Sequence, residues 1–162
     1  MRILGIDPGY DRLGIAIIEK PIRGKEVLIY SGCLQTSAKD SIYERLKAVG
    51  TEIARVLDEF EPKEMALESL FITKNQKTAM RVAEARGILI YEAAKRGIAI
   101  SEYGPVEIKS AISGDGRSDK ERMTKMVRLL IDIPIKIAKD DEYDAIAVAL
   151  THSARIASRQ NR

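Results

Sequence analysis

The stretch Ile3-Leu4-Gly5-Ile6-Asp7-Pro8-Gly9 limits the folds open to this chain more than any other. Arg2 to Ile6 has the apolar run of a short buried strand, and Asp7 stands at its carboxyl end, where Pro8-Gly9 turns the chain away. One reading is a carboxylate held rigidly at the lip of a sheet. The other is ordinary turn chemistry, and the heptapeptide alone does not separate them. Glu68, in Met65-Ala66-Leu67-Glu68, and Asp141 with Asp144 favour the first. Several converging carboxylates repel one another unless a divalent cation lies between them, and hard oxygen ligands with open positions suit Mg²⁺.

Leu13 to Glu19 has the pattern of a second strand and Val27 to Leu34 of a third, with short turns between them. Such a run predicts an antiparallel meander. Ser41 and Glu44 have capping-box spacing ahead of a helix whose apolar residues run from Ile42 through Leu46, Val49, Ile53 and Val56 to Phe60. Pro62 closes it, and Met65 to Leu70 forms a fourth strand, reached through a helical crossover and therefore parallel to a strand of the same sheet. The first strand is its natural neighbour, which sets Glu68 beside Asp7. A long helix from about Asn75 to Arg96, a fifth strand over Ile98 to Tyr103 and a short helix from Gly104-Pro105 through Ile112 follow. Ser118 with Glu121 has a second capping-box spacing, and a last helix runs from about Asp141 to Ala157. The order predicts one α/β domain over residues 1–162, with a five-stranded mixed sheet flanked by helices.

Composition narrows the function. At 162 residues the chain can bury a core without staples, and its single cysteine, Cys33, excludes an internal disulfide framework. One cysteine and one histidine cannot make a zinc site, and Cys33 reads as a small strand hydrophobe. No stretch approaches the roughly 20 apolar residues that span a bilayer. The chain enters a strand at its second residue, so no signal peptide and a cytoplasmic location are expected. A net charge of +3 is a weak pointer to a polyanion. The basic residues between Lys74 and Arg128 are interspersed with acids, which suits a solvated surface as well as a phosphate-binding face.

Asp141 and Asp144, three apart at a helix start, project from one face. Acids in a first turn are ordinary capping, but Ala145, Ala147 and Ala149 make this helix narrow enough to lie close to a sheet. An acid pair pressed against a sheet needs a counter-charge, as does Glu68 in an apolar strand. In the long helix, Ile88 to Ala94 is apolar around most of its circumference. Either a second subunit or a deep core explains that pattern. Lone His152, two turns into the last helix, reads as a packing residue and not a ligand.

Taken together, these residues resemble the RuvC Holliday-junction resolvases of the RNase H-like nuclease superfamily. The matching segments are Gly5-Ile6-Asp7-Pro8-Gly9, Glu68-Ser69-Leu70-Phe71 with Lys74-Asn75, Ala85-Arg86-Gly87, Gly114 to Lys120, and Asp141 to Ala145 through Thr151-His152. They fall in order across nearly the whole chain. The resemblance implies an RNase H-like fold in which Asp7, Glu68, Asp141 and Asp144 hold Mg²⁺, with Mn²⁺ as a substitute and two ions per site during catalysis. It implies a homodimer that makes paired, symmetric nicks in a four-way DNA junction, working with a bacterial branch-migration motor of the RuvA–RuvB type. Lys120, after a glycine-rich loop, would offset charge at the scissile phosphate, and Lys109 is a second candidate. Phe71 would wedge into unstacked bases at the crossover. Lys74, Lys77, Arg81, Lys109 and Lys120 are the candidate phosphate contacts.

Departures from the family pattern are small. Ser118 stands where alanine is usual, and Ser69 and Leu70 differ from the commoner residues. A RuvX-like nuclease acting on structured RNA is the first alternative, since Asp11-Arg12-Leu13-Gly14-Ile15-Ala16 partly fits that group. A junction-binding module that does not cut is the second, but it would have no use for four acids.

Overall fold

A computed structural model describes residues 1–70 and 76–160, with side chains placed for 1–70 and 78–158. Strands β1 (Arg2–Asp7), β2 (Arg12–Glu19) and β3 (Glu26–Gln35) form the antiparallel meander that their short connections dictate. Helix α1 (Ile42–Phe60) crosses over to β4 (Glu64–Glu68), which lies parallel to β1 with Ile6 opposite Leu67. Helix α2 (Gln76–Lys95) leads to β5 (Ala99–Tyr103), parallel to β4. Helices α3 (Pro105–Ser113) and α4 (Lys120–Leu130), strand β6 (Ile131–Asp132) and helix α5 (Asp140–Gln160) complete the order. Across the sheet the strands run β5-β4-β1-β2-β3-β6.

The sixth strand corrects the expected five. Ile131 and Asp132 pair parallel with Glu26 and Val27 at the far edge of β3. Two residues leave no alternation to read, and the pairing comes from burial of Ile131.

Helix ends follow their capping residues, with one displacement. The Ser41 hydroxyl accepts from the Glu44 amide at 3.3 Å and starts α1 as expected. The second cap is Asp119, not Ser118: the Asp119 carboxylate accepts from the Arg122 amide at 2.8 Å. Aspartate caps a helix as well as serine does, and Ser118 is otherwise engaged. It is buried, with its hydroxyl 2.6 Å from that of Ser113.

The core divides between the faces of the sheet. Leu4, Ile6, Ile15, Ile17, Met65 and Leu67 pack beneath α1 and α2, while Ile3, Ala16, Ile18 and Ala66 pack beneath α3, α4 and α5. Each fully buried side chain of this size contributes about 1.5–3 kcal/mol. Because strand side chains alternate, Gly5 and Asp7 of β1 and Glu68 of β4 share the α5 face. Helix α2 resolves the two readings of its apolar segment. Ala85, Leu89 and Ala93 are buried, so Leu89 belongs to the subunit's own core, and Ile90 packs partly against it. Met80, Ala83, Gly87, Tyr91 and Ala94 share the opposite, exposed side.

Candidate active site

Asp7 and Glu68 end two adjacent parallel strands, at the carboxyl edge where open α/β sheets bind their ligands. Their carboxyl groups line one cleft and perturb each other's protonation. Helix α5 brings the other two acids. It sits unusually close to the strands because they carry glycine where it crosses. A Cβ on Gly5 would fall 2.2 Å from the Ala145 carbonyl oxygen, and one on Gly14 would fall 2.2 Å from that of Asp141. Ala149 supplies the matching small residue on the helix.

The start of α5 is fixed by a residue that sequence reasoning passed over. Glu142 is 4% exposed, and its carboxylate accepts from the Ser31 hydroxyl at 2.5 Å and from the amides of Ala138 and Lys139 at 3.1 and 2.9 Å. It ties the helix N-terminus to β3 while Asp144, two residues on, lines the cleft. Lys139 at the cap has no side-chain acceptor, so the usual capping-box signature is missing from the sequence and only the bond from the Lys139 amide to Glu142 reveals the role.

The electrostatics of the cleft are those of surplus negative charge. Burial, then Glu68, Asp144 and Asp141 in turn, push the Asp7 carboxyl up to about 8. Burial raises Glu68 as well, opposed in part by its contact with Asp7 and by Arg86 and Lys109. Burial likewise raises Asp144, against the pull of Lys120. Burial and then Asp141 push the Cys33 thiol up to about 11, so it is neutral and no nucleophile at ordinary pH.

Cations of the chain answer part of this charge. Arg12 lies 3.3 Å from Asp141, and Lys120 lies 3.4 Å from Asp140 and 3.5 Å from Asp144. Among the described residues, no three acid, imidazole or thiol groups lie close enough together to form a closed metal-binding set. The donor set nevertheless fits a hard divalent cation. All four acids offer oxygen, and Asp141 Oδ2 is buried without a hydrogen bond, with the Arg12 guanidinium 3.3 Å away as its counter-charge.

A cleft of ≈ 290 Å³ is lined by Asp7, Glu68, Asp144, Lys109 and Lys120. Asp141 lies behind this rim beside Gly14 and Arg12. Arg81 is not among the lining residues and pairs with Glu84 on its own helix at 2.8 Å. Phe71 and Lys74 lie outside the described residues, as does the side chain of Lys77. His152 is buried away from the acids, with Nδ1 2.6 Å from the Tyr103 hydroxyl and Nε2 2.6 Å from Glu64.

The family model described as crossover junction endodeoxyribonuclease RuvC matches residues 3–152. The chain belongs to the RuvC family. It is 38% identical to the RuvC crossover junction endodeoxyribonuclease of Moorella thermoacetica, over 99% of this chain and 95% of that one. It is 41% identical to the RuvC of Thermosipho melanesiensis, over 92% and 94%. The solved structure of Thermus thermophilus RuvC in complex with Holliday junction substrate superposes with a TM-score of 0.89 at 30% identity, covering 98% of this chain and 97% of that one.

Proposed function

We propose that this chain is a structure-specific endodeoxyribonuclease that resolves four-way DNA junctions by hydrolysing phosphodiester bonds. The observation that carries this reading is the convergence of Asp7, Glu68 and Asp144 with Lys109 and Lys120 in one cleft of a RuvC-family chain. Solved with its junction, the Thermus relative supports the same class of substrate.

Asp7, Glu68, Asp141 and Asp144 would hold Mg²⁺, with Mn²⁺ as a substitute. The chemistry that a pair of such ions supplies is Lewis acidity and counter-charge. The chain's own residues do the rest. β1 and β4 hold two carboxylates rigidly, and α5 presents two more at a spacing set by Gly5 and Gly14. Lys120 can leave Asp144 for the scissile phosphate and offset charge that builds there, and Lys109 stands on the same rim. Water adds across the P–O3′ bond in line, giving a 3′ hydroxyl and a 5′ phosphate.

Two copies of the domain, acting as an isologous homodimer, would place two such clefts on a junction with near two-fold symmetry and make paired nicks. A branch-migration motor of the RuvA–RuvB type would be the working partner, in the bacterial cytoplasm. Among the described residues, no helix is long and apolar enough to cross a membrane.

The test is a labelled four-way DNA junction incubated with the purified protein, with and without Mg²⁺, beside a structured RNA of similar size. Symmetric nicks in the DNA junction that require Mg²⁺ and vanish with Asp7→Asn are expected, with junction binding retained. Cleavage of the RNA alone would replace this reading with a RuvX-like one, and binding without cleavage would replace it with a recruiting module.

A further inference from the structure

The back of the sheet carries a contact that the cleft does not account for. Arg86 of α2 is 8% exposed, an unusual position for a guanidinium. One terminal nitrogen donates to the main-chain carbonyl of Glu68, and the other donates to the Glu102 carboxylate at 2.7 Å. Two different strands are thus gripped at their carboxyl ends, β4 at its last residue and β5 at its last but one.

The side chains show from which face. Leu67 packs beneath α1 and α2, so Glu68, one residue on, turns its carboxylate to the α5 face. Tyr103 packs beneath α5, so its neighbour Glu102 faces α2. Arg86 therefore reaches the Glu68 main chain from behind, while the Glu68 carboxylate faces the cleft in front. The carbonyl it holds is one the sheet leaves over. The Ser69 amide donates to Tyr103 of β5 at 2.8 Å. In a trans peptide the carbonyl of Glu68 must then point away from β5. On that side the β1–β4 pairing ends at Ile6 and Leu67, because Pro8 takes β1 away.

We propose that Arg86, anchored by Glu102, is a positioning residue that sets the Glu68 carboxylate for its cation. It touches neither substrate nor ion. By filling the last unpaired carbonyl of β4, it keeps the strand regular through the residue that carries the ligand. Outer partners that orient a ligating carboxylate commonly govern metal affinity by about 10–100-fold. Lysine cannot replace arginine here, since only a forked guanidinium reaches both acceptors in fixed geometry. The inference rests on the proposed cation-dependent nuclease reading.

Calorimetric titration of MnCl₂ into the full chain without DNA tests it, with Arg86→Lys and Glu102→Gln beside the wild type. Melting temperature without metal is measured on each. Glu102 is half exposed on its side chain, so its amide variant keeps the fold even if Arg86→Lys does not. The expected result is Mn²⁺ binding weakened about 10–100-fold in Arg86→Lys and less in Glu102→Gln, with junction cleavage restored at high Mn²⁺. Unchanged Mn²⁺ affinity in the folded variants, whether or not melting temperature falls, would overturn the proposal and leave Arg86 a purely structural clamp. A wild type that binds no Mn²⁺ and cuts no junction would instead overturn the nuclease reading, and this inference with it.

Discussion

Gly14 of β2 and Asp141 of α5 meet with no side chain between them: a methyl group on Gly14 would lie 2.2 Å from the Asp141 carbonyl oxygen and 3.2 Å from Cβ of Asp7. Gly5 stands in the same relation to Ala145, one turn further along the helix. Both close approaches are to backbone, which cannot swing aside as a side chain does. Alanine at either position must push α5 off the strands. Overpacking of this kind costs about 1–3 kcal/mol. Urea unfolding of Gly14→Ala and Gly5→Ala should show that loss. Cleavage should fall further than stability, since misplacing a catalytic group by about 1 Å can cost 10²-fold. Wild-type cleavage by a folded Gly14→Ala would show that the acids tolerate a looser helix.

Asp7, Glu68 and Asp144 also predict how stability responds to pH. The folded state raises Asp7 from 3.8 to about 8, and raises Glu68 and Asp144 in the same direction. Folded protein therefore holds more protons than unfolded protein between those values. By linkage, metal-free protein loses stability as pH rises through the window from about 4 to about 8. A divalent cation would relieve the repulsion that causes the loss. Mg²⁺ or Mn²⁺ should raise the melting temperature strongly at pH 8 and little at pH 5. Asp7→Asn should flatten the metal-free pH dependence and remove most of the metal effect. A metal-induced rise in melting temperature that is as large at pH 5 as at pH 8 would count against the acids as the binding groups.

How much of this is legible in sequence depends on how local the cause is. The meander, the crossover and the pairing of β4 with β1 follow from strand period and connection length, so Glu68 beside Asp7 can be read directly. Capping chemistry places the start of α1 to the residue. What escapes is set by distant partners. Gly5 and Gly14 look like any strand glycines until α5 lies across them. Strand β6 exists only because β3 offers it an edge. The apolar segment of α2 misleads for the same reason: Leu89 and Ile90 are equally apolar in sequence, and only the packed sheet separates the fully buried one from the partly buried one.

Lys120 faces two acids at 3.4 and 3.5 Å and remains largely exposed, so it is free to exchange them for a phosphate. Lys120→Ala should lower the single-turnover cleavage rate by about 10²–10³, the usual effect of removing one transition-state donor. Junction affinity should change far less in this variant. In the wild type, affinity should fall steeply between about 50 and 200 mM salt, as several phosphate contacts release counterions. Filter binding across that range checks this. A flat salt response would remove the basic rim from the binding account.

The last prediction concerns assembly and turns on Gly87. It lies mid-helix on the exposed side of α2, in line with Met80, Ala83, Tyr91 and Ala94, and a Cβ there would meet no atom within 4 Å. Within one subunit, Gly87→Glu is therefore harmless. Replacing a mid-helix glycine should even add about 0.5–1 kcal/mol of stability. In a homodimer joined along this stripe, the same carboxylate would be desolvated and unpaired, at a cost of several kcal/mol in order of magnitude. Sedimentation should then show wild type as a dimer and Gly87→Glu as a folded monomer that gives unpaired nicks. Leu89→Glu makes the contrast, since it buries the charge in the subunit's own core and should unfold the chain. A Gly87→Glu variant that still sediments as the wild type does would move the dimer contact off this helix.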